Sequence, residues 1–251
     1  LVKSLFHPKS SLKYGCALIY FYFLGERFPV IIDTQVPYRD SNLSEPLFSH
    51  PRSNYDSCWF SLVEKAFAKA CGGYSLIEIG QTHFGIHVLF DQFPAAFSKL
   101  DDLVPESFIK RKNDEIDIND EIFKELLELK KKNAMIGTAV SMSYFPNHTA
   151  KELQKSSGLI PEHAYQILDI RECQKKRFLK IRNPWGKFEW KGAYSNKSNY
   201  WTETLKNELN YSKNKDGSFW MLYDDFLGYF KSISYSLPKE KNWKEANVYG
   251  A

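Results

Sequence analysis

Apolar and polar positions divide this chain into a front that reads as hairpin and helix and a back of short aromatic strands. Residues 16–23 are a run of apolar and aromatic side chains, Leu24-Gly25-Glu26-Arg27 supplies a turn, and residues 28–32 return as a second run. That is a β-hairpin by composition and turn chemistry. Polar, proline-containing sequence follows to Asp56. Trp59, Leu62, Val63, Ala66, Phe67 and Ala70 then fall on one helical stripe. Asp56 or Ser57 is placed to cap its start and Gly72-Gly73 to end it. Residues 101–120 are charged and weakly apolar, as in a surface loop or a connector. A second amphipathic helix runs through Lys130, with Asn119 or Asp120 as its cap. Beyond Ala134 the pattern predicts strands at 135–142, 164–168, 178–182 and 219–222, a short helix at 224–227 and a last strand at 232–235. No segment repeats. The fold class this implies is α+β, with a helical front and a β-rich back.

Composition changes the picture little. The 251 residues suffice for one large domain or for two lobes around a cleft. Hydrophobic residues make up 43% and charged residues 25%, ordinary values for a soluble globular protein. A net charge of +4 demands neither a nucleic-acid nor a membrane partner. No apolar run reaches transmembrane length and no signal peptide is visible. The lysine-rich runs Lys130-Lys131-Lys132 and Lys175-Lys176-Arg177 read as solvated helix ends and turns. The four cysteines, Cys16, Cys58, Cys71 and Cys173, follow no disulfide or zinc spacing, which places the chain in a reducing, cytoplasmic setting. The chain opens on Leu1, not Met, so it is expected to be a fragment.

Candidate chemistry sits at one pair. Twenty residues separate His163 from Asn183, and the apolar runs beside them flank Asp169-Ile170-Arg171-Glu172, expected to be the turn of a hairpin. Both side chains would then stand at strand ends, where they can meet. An imidazole held by an asparagine oxygen is the base half of a papain-type cysteine peptidase site: the ring takes a thiol proton, and the amide fixes its tautomer. The indole of Trp185 would shield that bond from water. A lone histidine would be an ordinary core residue. His83 and His87 have the spacing of a zinc helix, but the internal Gly85 and the lack of a third ligand speak against zinc. His7, His50 and His148 lie in polar loops and suggest nothing.

The strings around the pair narrow the reading. Gly158-Leu159-Ile160-Pro161-Glu162-His163-Ala164-Tyr165, Ile181-Arg182-Asn183-Pro184-Trp185-Gly186-Lys187-Phe188-Glu189-Trp190-Lys191-Gly192 and Asp216-Gly217-Ser218-Phe219-Trp220-Met221 with Asp225-Phe226 occur in that order. Upstream lie Val30-Ile31-Ile32-Asp33-Thr34-Gln35-Val36-Pro37 and Trp59-Phe60-Ser61-Leu62-Val63-Glu64-Lys65-Ala66-Phe67-Ala68-Lys69. Together they resemble the calpain family of cysteine proteases over about residues 12 to 236. The resemblance implies a papain-like, two-lobed peptidase core. Residues 1–90 would be the remainder of the nucleophile-bearing lobe, 91–236 the lobe with His163 and Asn183, and 237–251 a tail opening a following β-sandwich domain. Its implied partners are protein substrates, with further domains at both ends and no nucleic acid.

The same resemblance places the nucleophilic cysteine in a G-x-C-W string before the first hairpin. Residues 1–12 hold no cysteine, so the nucleophile is expected upstream of Leu1. Cys58 is the weaker alternative. Ser57-Cys58-Trp59-Phe60-Ser61 resembles a papain nucleophile string at a helix N-terminus, where the dipole lowers a thiol pKa. Residues 48–57 lack the glutamine such sites use as oxyanion donor. Cys16, inside an apolar run, reads as buried and inert. The resemblance further implies calcium, held by acidic residues in each lobe. Glu189 and Asp216 match two ligand positions, whereas two further acidic positions read Asn196 and Ser218, and the first-lobe acid reads Ser75. A calcium site is thus possible but weakened. Two functions stand against each other: an endopeptidase core supplying the His/Asn half of the site, and a non-catalytic calpain-like module that binds polypeptide or scaffolds a complex. The fragment alone is expected to be inactive.

Overall fold

The computed structural model describes residues 5–7, 14–23, 26–39, 46–49, 59–78, 80–97, 99–104, 117–213 and 216–238. The chain forms two compact units that divide between Gln92 and Phe93.

In the first unit, β1 (Cys16–Phe23) and β2 (Glu26–Asp33) pair antiparallel, Cys16 opposite Asp33. Alternation turns Ala17, Ile19 and Phe21 inward with Val30 and Ile32. The same alternation turns Cys16 outward: it is exposed, not buried as its apolar neighbours suggested. Helix α1 (Trp59–Cys71) lays Leu62, Val63 and Ala66 on this face, as its stripe required. Its lysines then reach the hairpin: Lys65 Nζ donates to Asp33 Oδ1 at 2.6 Å, and Lys69 Nζ to the carbonyl of Ile31 at 2.7 Å. The caps expected at Asp56 or Ser57 lie outside the described residues. Helix α2 (Thr82–Phe90), not foreseen from the pattern, carries His83 and His87 and closes on Asp91 at φ 53°. His87 Nδ1 lies 2.9 Å from the carbonyl oxygen of Gln92.

The second unit is built on a six-stranded antiparallel sheet: β3 (Phe93–Phe97), β4 (Met135–Val140), β5 (His163–Cys173), β6 (Lys176–Arg182), β7 (Ser218–Leu222) and β8 (Ser232–Leu237), in the spatial order β3-β8-β4-β5-β6-β7. Helix α3 (Ile118–Lys131) buries Ile122, Phe123, Leu126 and Leu129. Leu179, Ile181, Phe219 and Met221 join the same core from β6 and β7. Phe178 and Trp220 point the other way, into a second cluster with Tyr194, Leu205 and Leu209. β7 is buried on both faces and reads as an apolar run, whereas β6 buries only Phe178 on its second face and alternates beyond it. Short helices α4 (Ala150–Ser157), α5 (Glu203–Glu208) and α6 (Tyr223–Tyr229) fill the connections.

Two further expectations need correction. The hairpin does not turn at Asp169–Glu172, which lie within β5; it turns at Gln174 and Lys175, both left-handed at φ 51° and 60°, with Cys173 facing Lys176. A bulge between Ile167 and Asp169 interrupts the register and lets the polar stretch continue as strand. The lysine runs are exposed at a helix end and a hairpin turn, as expected, and one lysine of each also finds a partner. Lys130 pairs with Asp169 and donates to the carbonyl of Ile170 at 2.8 Å, and Lys176 donates to the Tyr194 hydroxyl at 2.6 Å. Finally, α3 is capped neither by Asn119 nor by Asp120. Asp117 is the cap, its Oδ1 accepting from the Asn119 N–H at 2.9 Å.

Asp117→Ala should therefore lower unfolding free energy by about 1 kcal/mol in urea denaturation, the usual worth of an N-cap. Asn119→Ala should stay within about 0.5 kcal/mol of the parent. The reverse ranking would move the cap back to Asn119.

Candidate active site

Neighbouring strands bring His163 and Asn183 together. His163 opens β5 opposite Val140 of β4, and Asn183 follows the last residue of β6. Backbone bonds fix the chain beside each. The Glu162 N–H donates to the Val140 carbonyl at 2.7 Å, while its carboxylate accepts from the Met142 N–H at 2.6 Å and the Ser141 hydroxyl at 3.0 Å. The Asn183 N–H donates to the Gly217 carbonyl at 2.9 Å.

Asn183 is fully buried, and its carboxamide uses every hydrogen-bonding position it has. Nδ2 donates to the carbonyls of Lys187 (2.7 Å) and Phe188 (3.3 Å). Oδ1 faces His163 Nε2 at 2.9 Å and accepts from the Trp185 N–H at 3.0 Å. Two carbonyls accept only and a backbone N–H donates only, so the amide has a single consistent orientation. Its oxygen therefore faces the ring, Nε2 carries the proton, and Nδ1 is left as the basic nitrogen. Among the sequence-derived site residues, His163 and Asn183 thus meet in a geometry that selects one tautomer.

Two aromatic side chains flank the imidazole. The Trp185 ring lies 4.3 Å away, tilted by 44°, and the Tyr165 ring presents an edge at 5.2 Å. Trp185 is 52% exposed, so it covers one side of the ring and keeps its own outer face in water. Tyr165 is buried, and its hydroxyl accepts from the Ile160 N–H at 2.7 Å, tying the loop before His163 to the strand that carries it. Burial pushes this phenol up to about 12, so it stays a neutral partner.

The segment from Asn183 to Glu189 that wraps the carboxamide is packed too closely for substitution at two glycines. A Cβ on Gly217, at φ 81°, would come within 2.6 Å of the Asn183 carbonyl and of the Gly186 Cα. One on Gly158, also at φ 81°, would come within 2.0 Å of the Glu189 carbonyl. Phe188 itself is left-handed at φ 65°, rare for an aromatic residue, and this turns its carbonyl towards Asn183. Sequence reasoning names the histidine and asparagine but not these backbone acceptors, nor Tyr165 and Glu162. Only Gly217, beside Asp216, carries a legible turn signal.

The remaining candidates lie elsewhere. Glu189 Oε2 accepts from Asn196 Nδ2 at 2.7 Å, and Asp216 Oδ1 accepts from the Ser218 N–H (3.0 Å) and hydroxyl (2.6 Å). Burial raises the Asp216 carboxyl, but the Ser218 bonds and the Arg182 charge outweigh it and hold the group below the usual carboxylate value. Among the described residues, no three His, Cys, Asp or Glu side chains group to hold a metal. Cys58 lies outside the described residues. Desolvation raises the Cys71 and Cys173 thiols above their ordinary value, the reverse of an activated nucleophile. No described helix is long and apolar enough to cross a membrane.

Partial burial pulls the His163 imidazole below its ordinary value of 6.5, and the Asn183 bond offsets part of that. An NMR titration of the ring should give a midpoint under 6.5; one above it would contradict the geometry. The sign for stability follows. Below pH 6.5 the unfolded chain takes up this proton first, so the stability contributed by His163 falls with acidification until the folded ring titrates as well. Gly217→Ala should cost about 1–3 kcal/mol in thermal or urea unfolding, from a strained left-handed residue and a displaced Asn183 turn.

Comparison with known proteins bears on the whole chain. The family profile described as "Calpain family cysteine protease" matches residues 2–236. The calpain-type cysteine protease DEK1 of Arabidopsis thaliana is 32% identical over 222 residues, covering 87% of this chain and 9% of that protein. Calpain-7 of Homo sapiens is 33% identical over 215 residues, with 81% and 23% covered. Calpain-5 of Mus musculus is 29% identical over 256 residues, with 92% and 37% covered. The chain thus spans well under half the length of these relatives, and its matched region takes in the His163 and Asn183 strings. It belongs to the calpain family of cysteine proteases.

Proposed function

We propose that this chain supplies the His/Asn half of a cytoplasmic calpain-type cysteine endopeptidase, on a papain-like, two-lobed plan. Residues 1–90 would be what remains of the nucleophile lobe, 91–236 the base-bearing lobe and 237–251 the start of a further domain. The observation that carries the reading is the 2.9 Å contact from His163 Nε2 to Asn183 Oδ1, with the carboxamide locked from its other side. It leaves Nδ1 to take a thiol proton. The thiolate so formed attacks a substrate carbonyl, and the imidazolium returns the proton to the leaving amine. On this reading the nucleophile is none of the four cysteines here, since none of them lies in the family's G-x-C-W string. The substrate is a polypeptide bound in extended form.

The lowered basicity of His163 fits this division of labour. A half-buried ring without an anion beside it favours the neutral form. A thiolate placed against Nδ1 would reverse that preference, so the ion pair forms only when nucleophile and base are assembled.

The test uses the full-length protein on casein or a peptide substrate. His163→Ala should reduce turnover by about 10⁴–10⁶-fold, as expected of groups that act as a unit. Cys58→Ala should leave turnover unchanged, and the 251-residue chain alone should be inert. Cleavage by the chain alone that disappears with Cys58→Ala would overturn the assignment and make Cys58 the nucleophile. A full-length protein with no cysteine-dependent turnover would favour a polypeptide-binding module instead.

A further inference from the structure

We propose that the Asn196 carboxamide does the work of a divalent cation in the second unit, holding the Glu189 segment, and through it the Asn183–His163 pair, in place without calcium. Four side chains are concerned: Glu189, Asn196, Asp216 and Ser218. The Glu189 carboxylate and the Ser218 backbone carbonyl, both acceptors only, face one atom, Asn196 Nδ2, at 2.7 and 3.4 Å. Oxygen acceptors converging on a point are what a bound cation gathers. Here the point is filled by an N–H donor of the chain itself.

The other contacts close the arrangement. Asn196 Oδ1 accepts from the Tyr211 hydroxyl at 3.1 Å, which fixes the amide with its nitrogen towards the two acceptors. Tyr211 packs against Trp201 at 4.3 Å, and the Trp201 indole N–H donates to the Ser195 carbonyl at 2.9 Å, one residue from the asparagine. One oxygen of Asp216 is taken by the Ser218 N–H and hydroxyl. Calcium affinity follows the count of charged ligands. With Asn196 and Ser218 neutral, two carboxylates remain, and both are already bonded to neutral donors of the chain. The donor set does not suit the ion.

The clasp bears on the site through the backbone. Glu189 directly follows Lys187 and Phe188, whose carbonyls hold the Asn183 amide. Its own carbonyl packs against Gly158, at the start of the loop that leads to His163, and the Lys191 N–H donates to the Ser157 carbonyl at 2.9 Å. Anchoring Glu189 therefore anchors the acceptors that orient Asn183. Asn196 is a positioning residue in this account, acting through Glu189.

The inference rests on His163 and Asn183 forming the base half of the site, but its test reads the ring nitrogens rather than proteolysis. If the peptidase reading fails, the outcome here is still decided. In ¹⁵N NMR of the chain, His163 should be a single Nε2–H tautomer whose signals, and whose melting temperature, do not move with millimolar calcium. Asn196→Asp sets a carboxylate against Glu189. Without calcium it should mix the tautomers and lower the melting temperature; added calcium should reverse both, with roughly tenfold or more tighter binding than the parent in calorimetry, as an added charged ligand implies. Asn196→Ala should mix the tautomers irreversibly. Parent binding at about 10⁻⁴ M or tighter would overturn the proposal, as would an Asn196→Ala protein with unchanged His163 signals. Should Asn196→Asp fail to fold, the parent titration and Asn196→Ala decide.

Discussion

The second unit's chemistry depends on one buried carboxamide. Asn183 sits without exposure between a ring nitrogen, a backbone N–H and two carbonyls, and each of its four hydrogen-bonding positions is used. A buried amide with an unmet donor or acceptor costs on the order of 1–3 kcal/mol, so any rotation that turned its nitrogen to His163 would break three favourable contacts at once. That penalty, rather than the single bond to the imidazole, sets the tautomer. The histidine is basic at Nδ1 because its neighbour has no other way to be satisfied.

Such a carboxamide needs acceptors that no helix or sheet ladder provides, since carbonyls in regular structure are already engaged. The chain makes them by leaving β6 in a turn closed from the Gly186 N–H to the Asn183 carbonyl, with Gly186 and then Phe188 left-handed. A left-handed aromatic residue costs on the order of 1 kcal/mol or more and persists only where its surroundings over-determine it. Here they do. Gly217 and Gly158 let backbone approach the segment from two sides, and the Glu189 side chain is held beyond it. The strain and the close approaches are one feature seen twice: both bring main-chain oxygens to a side-chain amide.

The legibility of this arrangement in the sequence is uneven for physical reasons. Strands β1, β2, β4, β6 and β7 and helices α1 and α3 carry strong periodicity or dense apolar runs, and each is readable to within a few residues. The hairpin turn is misread because Asp169–Glu172 look like turn residues. Their strand character goes with a bulge and with Asp169 being satisfied by its strand neighbour Arg171 and by Lys130, a contact from a distant helix. Helix α4 escapes the apolar pattern although Thr149 and Glu152 form a complete capping box, a local signal that the sequence does contain. At the site, His163, Asn183 and Trp185 are readable as residue types at a spacing. The Lys187 and Phe188 carbonyls are not, because a backbone acceptor has no letter in the sequence. The left-handed Phe188 contradicts its own residue preference.

The histidine's environment explains why so much structure is spent on its partner. Burial against Tyr165 and Trp185 disfavours the imidazolium, and the Asn183 oxygen returns only part of that loss. A carboxylate in place of the amide would hold the proton on the ring whether or not a thiol were present. A neutral amide orients the ring without charging it. The same group that fixes the ring's tautomer therefore leaves the ring in its neutral form.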